Sequence, residues 1–301
     1  MSIADGTLLM VVAIFALLVT GLPLAFITGL VALAFTFGWF GEMALPLVTT
    51  RVYGFVTEYS LVAVPMFVLM ASLLDRSGIA KDLFNAMRVF AGRLPGGVAI
   101  QTVVVAFFLA ALSGIIGGEI VLLGILALPQ MLRLGYNQNL AVGTICASGS
   151  LGTMIPPSIV LIIYGVVTDT SIHALFRAAI LPGLMLGGMY IVYIMVRTRL
   201  NPSLAPLPEN DTEVTWGEKF AALKGLLPPV VLVTCILGSI YGGITGITEA
   251  AAIGCLGTLL LIVIRGEFTR KLFLEALQRT LRSTGTILWV TFGATCLAGA
   301  Y

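Results

Sequence analysis

Ser113-Gly114-Ile115-Ile116-Gly117-Gly118-Glu119 and Ser148-Gly149-Ser150-Leu151-Gly152-Thr153-Met154-Ile155-Pro156-Pro157-Ser158 interrupt sequence that is otherwise strongly apolar. Irregular backbone at membrane depth persists only where protein or a water-filled cavity receives its free N–H and C=O groups. Two such interruptions between Leu112 and Ser158 therefore point to a built site inside a membrane.

The rest of the chain supports that setting. Of 301 residues, 59% are hydrophobic and 10% charged, and the mean hydropathy of +1.08 lies far outside the range of soluble domains. A formal net charge of +2 gives no global attraction to nucleic acid. Met1 to Thr7 carries Asp5 and no basic residue, and the first basic residue is Arg51. The apolar run from Leu8 thus lacks the basic flank of a signal peptide and reads as a retained first span. Cys146, Cys235, Cys255 and Cys296 lie singly in apolar segments, and His173 is the one histidine, so neither a disulfide framework nor a zinc site has its ligands.

Apolar length predicts crossings at about 7–21, 23–39, 60–74, 139–167, 174–196, 226–243 and 247–264, with a last one starting near 283. The apolar block from Gly96 to Leu128 is long for one crossing and short for two, and its midpoint holds Gly114, Gly117, Gly118 and Glu119. A helical hairpin that enters partway and returns fits that length, because glycine permits a tight tip. With an outside N-terminus and a re-entrant hairpin, fourteen of the sixteen Lys and Arg residues fall on the cytoplasmic side, leaving only Arg51 and Arg177 outside. A single crossing at 97–128 reduces the better split to eleven against five. Two short full crossings give the same parity as the hairpin.

In segment 139–167, Pro156-Pro157 must break the helix, since neither proline donates an N–H and Pro157 clashes with the preceding turn. Gly149 and Gly152 let carbonyls turn inward beside the hydroxyls of Ser148, Ser150, Thr153 and Ser158. Such oxygens suit a hard monovalent cation such as sodium, and half-helix N-termini suit an anionic group. A kink that only shapes packing is the competing reading. Glu119 reads either as a group that attracts the cation or titrates, or as a cap on the second hairpin helix. Asp75 to Arg93 alternates charged and apolar residues at helical spacing and predicts an amphipathic helix on the cytoplasmic face. His173 falls in a short outer loop, Glu249 at the outer start of a span, and Trp39 at an interfacial position.

An offset of 225 places Gly21, Ala25 and Gly29 on Gly246, Ala250 and Gly254. The two copies run in opposite directions through the membrane, as inverted repeats require. The expected organisation is a first repeat at 1–200 (arm 75–93, re-entrant hairpin 97–130, broken helix 139–168), a cytoplasmic linker at 201–225 and an incomplete second repeat at 226–301. By the same offset, a second tip is expected near ~339 and a second broken helix near ~381 in a chain of ~425 residues.

At these residues the chain resembles the large membrane subunit of the tripartite ATP-independent periplasmic (TRAP) transporters. The likeness rests on Gly92-Arg93-Leu94-Pro95-Gly96-Gly97, on Leu128-Pro129-Gln130-Met131-Leu132-Arg133-Leu134-Gly135-Tyr136, on Ser150 to Ser158 followed by Ile162-Ile163-Tyr164-Gly165-Val166, and on Thr248-Glu249-Ala250-Ala251-Ala252. The resemblance implies an all-α, polytopic, inverted-repeat elevator-type transporter of the bacterial inner membrane, with a periplasmic N-terminus. It implies sodium as the coupling ion, no other cofactor or metal, and an organic acid as substrate. The implied partners are a small four-helix membrane subunit and a periplasmic substrate-binding protein. Its sodium site would fall on Ser113, Gly114, Ser148, Gly149, Gly152 and Pro156, with Glu119, Ser150, Thr153, Pro157 and Ser158 along the substrate pathway. The alternative is a sodium- or proton-coupled organic-anion carrier that works without a binding protein. Enzyme chemistry is not expected, because the chain has no HExxH or GxSxG motif.

Overall fold

A computed structural model describes residues 3–91, 94–114, 117–206 and 216–300, and every regular element among them is helical. The chain opens with α1 (Ile3–Leu18), α2 (Leu24–Phe40), α3 (Leu45–Val56), α4 (Ala63–Arg76) and α5 (Ile79–Ala91). Next come α6 (Gly97–Ser113), α7 (Gly118–Leu126), α8 (Leu128–Arg133), α9 (Gln138–Gly149) and α10 (Ile159–Val167). The last four are α11 (Ile172–Leu200), α12 (Trp216–Tyr241), α13 (Ile247–Ile264) and α14 (Arg270–Ala300).

Three described helical segments are long and apolar enough to cross a bilayer: Tyr59–Arg76, α11 and α13. Shorter apolar helices lie at Asp5–Leu18, Leu24–Phe40, Gly97–Ser113 and Gly225–Tyr241. Large apolar side chains such as Phe15, Leu33, Leu181 and Met189 stand exposed on α1, α2 and α11, as lipid contact requires. The molecule is an all-α polytopic membrane protein.

Four expectations are revised. α3 has no counterpart among the expected spans, because Pro46 and Arg51 break the apolar run and twelve residues are too few to cross. The last helix begins at Arg270, well before 283: backbone i→i−4 bonding tolerates the charged residues that a hydropathy window treats as loop. The expected arm at 75–93 divides, with Asp75 and Arg76 ending α4 and α5 starting after Gly78, whose φ of +70° stops the first helix. Residues 92 and 93 lie outside the described set. His173 is the second residue of α11, where the Ser171 side chain accepts from the Ala174 N–H as a cap, and not a loop residue.

Packing forms three apolar clusters. One joins α5, α6, α9 and the middle of α11, and a second joins α4, α12 and α13 around Phe67, Met70 and Ile236. A third holds α1 and α2 against the end of α14. Lipid tails are as apolar as leucine, so helix association here rests on close packing of small residues more than on escape from water. Gly254 accordingly admits Met70 and Ile236, Gly187 admits Phe107, and Gly293 admits Ala25 and Thr28. Gly29, the ladder partner of Gly254, faces open space instead. Ion pairs Arg76–Glu275, Asp75–Arg279 and Asp82–Arg265 join α4 and α5 to α13 and α14. Their side chains are partly exposed, so each contributes about 0–1 kcal/mol and packing dominates.

Candidate functional site

The first polar break lies at the tip of a helical hairpin. α6 ends at Ser113, and Gly114 adopts the left-handed conformation with φ +58°, its N–H returning to Ala110 O. That conformation strains any residue with a β-carbon. After residues 115 and 116, which lie outside the described set, Gly117 (φ +98°) leads into α7. The chain then retraces its path: the Val98 N–H at the start of α6 donates to the Tyr136 hydroxyl after α8, at 3.3 Å. Both feet of the hairpin are thereby pinned together.

The second break divides what hydropathy shows as one span into two half-helices. α9 is capped by the Asn137 side chain, which accepts from the N–H groups of Asn139 and Leu140. It tightens into a 3-10 turn over Ser150–Thr153 and ends before Pro156-Pro157, whose peptide bond is cis. α10 restarts after Ser158. Within the break, Thr153 Oγ1 donates to Ser150 O and Ser158 Oγ donates to Thr153 O, each at 2.8 Å.

The two breaks meet. Gly114 O accepts the Ile159 N–H at 3.2 Å, and a β-carbon at Gly114 would collide with the Pro157 carbonyl. The Glu119 carboxylate accepts from the Ser113 hydroxyl and lies over Gly152, where a β-carbon would sit 2.9 Å from Oε2. Gly149 likewise receives the Ile120 side chain. Ser113, Gly114, Glu119, Gly149, Gly152, Pro157 and Ser158 thus belong to one seam. Ser150 points elsewhere, donating to Ala147 O at 2.7 Å and approaching the Tyr190 hydroxyl on α11 at 3.4 Å. Pro156 is buried in the break, and Ser148 is fully buried one turn before Gly152.

Two buried oxygens stand out chemically, one in the seam and one a turn before Gly152. Glu119, 3% exposed, has an Oε2 without a hydrogen-bond partner among the described residues, and the same holds for Ser148 Oγ. Leaving a buried oxygen unpaired costs about 1–3 kcal/mol. Beside the tip, a cavity of about 230 Å³ is lined by Ser72, Asp75, Ser113, Glu119, Arg279 and Ser283, among others. Arg279 Nη1 pairs with Asp75 Oδ2 at 2.8 Å, and a β-carbon at Gly118 would lie 3.1 Å from Arg279 Nη2. Sequence reasoning missed this ion pair because Asp75 reads as part of a surface arm and Arg279 as part of a cytoplasmic loop. The signal available was a charge of each sign within one or two turns of an apolar run.

Comparison with known proteins bears on the family of the chain. The family model described as the DctM component of the tripartite ATP-independent periplasmic transporter matches residues 11–301. The chain is 34% identical over 246 residues to the C4-dicarboxylate TRAP transporter large permease protein DctM of Vibrio cholerae, covering 81% of this chain and 53% of that protein. It is 34% identical over 291 residues to the ectoine TRAP transporter large permease protein TeaC of Halomonas elongata, covering 95% of this chain and 65% of that protein. Against the sialic acid TRAP transporter large permease protein SiaM of Vibrio cholerae, identity is 31% over 282 residues, covering 93% and 64%. The chain thus spans between about half and two thirds of the length of these curated relatives. Each relative is named as a transporter permease, and with the match running from residue 11 to residue 301, this chain belongs to the DctM family of TRAP transporter components.

Proposed function

We propose that the chain is the large permease of a TRAP-type importer in the bacterial inner membrane, coupling sodium entry to uptake of an organic acid. The observation that carries this reading is the seam in which the hairpin tip meets the broken helix through Gly114 O and the Ile159 N–H. Half-helix ends and hydroxyls converge there, the chemistry of a coupling-ion site. In this reading Ser113, Gly114, Ser148, Gly149, Gly152 and Pro156 hold sodium. Glu119, Ser150, Thr153, Pro157 and Ser158 line the substrate pathway. Among the described residues Ser148 Oγ and Glu119 Oε2 have no partner, and a cation would satisfy oxygens that otherwise cost stability. Bound sodium would also offset the Glu119 charge that opposes an anionic substrate.

Packing supports an inverted repeat of 1–200 and 226–301 joined by the 201–225 linker. The 225-residue offset lays α13 over α2 and the second half of α14 over α4. Contact of α2 with α14 and of α13 with α4 are then images of each other. The hairpin and broken helix form the moving element of an elevator, the N-terminus is periplasmic, and a small four-helix subunit and a periplasmic binding protein complete the system. The relatives named for C4-dicarboxylates, ectoine and sialic acid share a carboxylate in their ligands, which favours an organic acid here.

Uptake of a panel of labelled organic acids into proteoliposomes, with the small subunit present and the binding protein and sodium each supplied or omitted, tests the proposal. Saturable uptake that needs both is expected. Uptake indifferent to sodium overturns the cation assignment, and uptake without a binding protein makes the chain a stand-alone carrier.

A further inference from the structure

A second cavity, of about 440 Å³, opens between α9 and α11, with Val103 of α6 also lining it. Along α9, Asn139, Gly143 and Ala147 recur every fourth residue on the face that lines it, and Tyr190, Tyr193 and Arg197 line it from α11. The two stripes run antiparallel. One end is fastened by the Asn137 N–H donating to Leu204 O at 2.9 Å, the other by the 3.4 Å approach of Ser150 to the Tyr190 hydroxyl. The slot is therefore polar at one end, with Asn139 and Arg197, and becomes aromatic and small-residue lined toward the break.

Its polar end carries positive charge. Arg197 is exposed and forms no ion pair among the described residues, and Arg199 shares the last turn of α11. α11 is one of the helices able to cross the bilayer, so its charged end lies at the membrane–water boundary. A β-carbon at Gly143 would meet nothing within 4 Å, so the middle of the slot is open space and not a packing contact. Tyr193, about one turn before Arg197 on α11, is 61% exposed.

We infer that this slot binds one anionic phospholipid, its headgroup phosphate on Arg197 and its acyl chain over Gly143 toward Tyr190. The match is of charge and of polarity along the slot: a basic end at the boundary and an apolar body running into the membrane. Because Tyr190 also touches Ser150, the lipid adjoins the broken helix and supports it.

The test is native mass spectrometry of the full chain in detergent, titrated with phosphatidylglycerol or phosphatidylcholine of identical acyl chains. The first phosphatidylglycerol is expected to bind about fivefold more tightly than phosphatidylcholine. Arg197→Gln should abolish that preference and leave phosphatidylcholine retention unchanged, Arg197→Lys should keep the preference, and Gly143→Trp should weaken both lipids by filling the slot. Circular dichroism matching wild type verifies that each variant is folded. Equal retention of the two lipids by the wild type overturns the inference, as does a preference unchanged by Arg197→Gln and Gly143→Trp. Displacement of the lipid by inorganic phosphate would reduce the site to a free-anion pocket. Loss of lipid on adding a membrane partner subunit would assign the slot to a protein helix, and either result overturns the lipid.

Discussion

The Glu119 carboxylate at the hairpin tip rests on Gly152 in the broken helix, so close that the glycine could not carry a side chain without displacing it. The carboxylate is held from the other side by the Ser113 hydroxyl. One glycine hydrogen thus sets the distance between two elements that meet at the proposed cation site.

Gly152→Ala places its β-carbon 2.9 Å from Glu119 Oε2 and forces the tip away. We expect uptake to fall at least about tenfold, equivalent to about 1.4 kcal/mol, while membrane insertion persists. Gly114→Ala should be worse, adding left-handed strain of about 1–2 kcal/mol to its collision with Pro157. Transport assays paired with quantitative immunoblots of the membrane fraction separate the two effects, and wild-type uptake by both variants would remove the seam from the mechanism.

Ser148 offers a test whose sign depends on the cation. Without sodium, Ser148→Ala deletes a buried hydroxyl that has no partner among the described residues and should melt at or above the wild-type temperature. With sodium at a hundredfold excess over its dissociation constant, the wild type should gain about 2.7 kcal/mol, and the variant less. Thermal unfolding in sodium and in choline buffers reads both arms. Equal sodium stabilisation of the two proteins would take Ser148 out of the site.

The Asp75–Arg279 pair faces the tip through Gly118. Removing either charge alone should slow transport more than removing both, with a coupling of about 0.5–3 kcal/mol in a double-mutant cycle. The exchange Asp75→Arg with Arg279→Asp should recover part of the activity. Additive effects would show that the pair is a surface contact without influence on the hairpin.

Tyr136→Phe removes the acceptor at the feet of the hairpin, leaving the Val98 N–H without its protein partner. The loss should be about 1 kcal/mol, seen as faster hydrogen exchange at the Val98 amide, with sodium dependence unchanged. Exchange identical to wild type would mean that the feet are held by packing alone.

The membrane class, the positions of both polar breaks and the family motifs were legible in the sequence alone, because hydropathy, proline and glycine act through local backbone and solvent chemistry. Gly114 and Pro156-Pro157 mark both interruptions locally, but Pro228-Pro229 sits inside the continuous α12, so the neighbouring glycines and hydroxyls, and not proline alone, made the break legible. Tertiary structure decided which groups share the site. The contacts of Glu119 with Gly152, of Gly114 with Ile159 and of Asp75 with Arg279 join residues far apart in the chain. Those pairings depend on how whole helices pack, which no local pattern encodes. Packing also decided that Arg279 lies in a helix and not in a loop. The first turns of α14 keep their backbone bonds while Glu275 and Arg279 find partners of opposite charge, Arg76 and Asp75, on α4, a compensation visible only once the two helices are side by side.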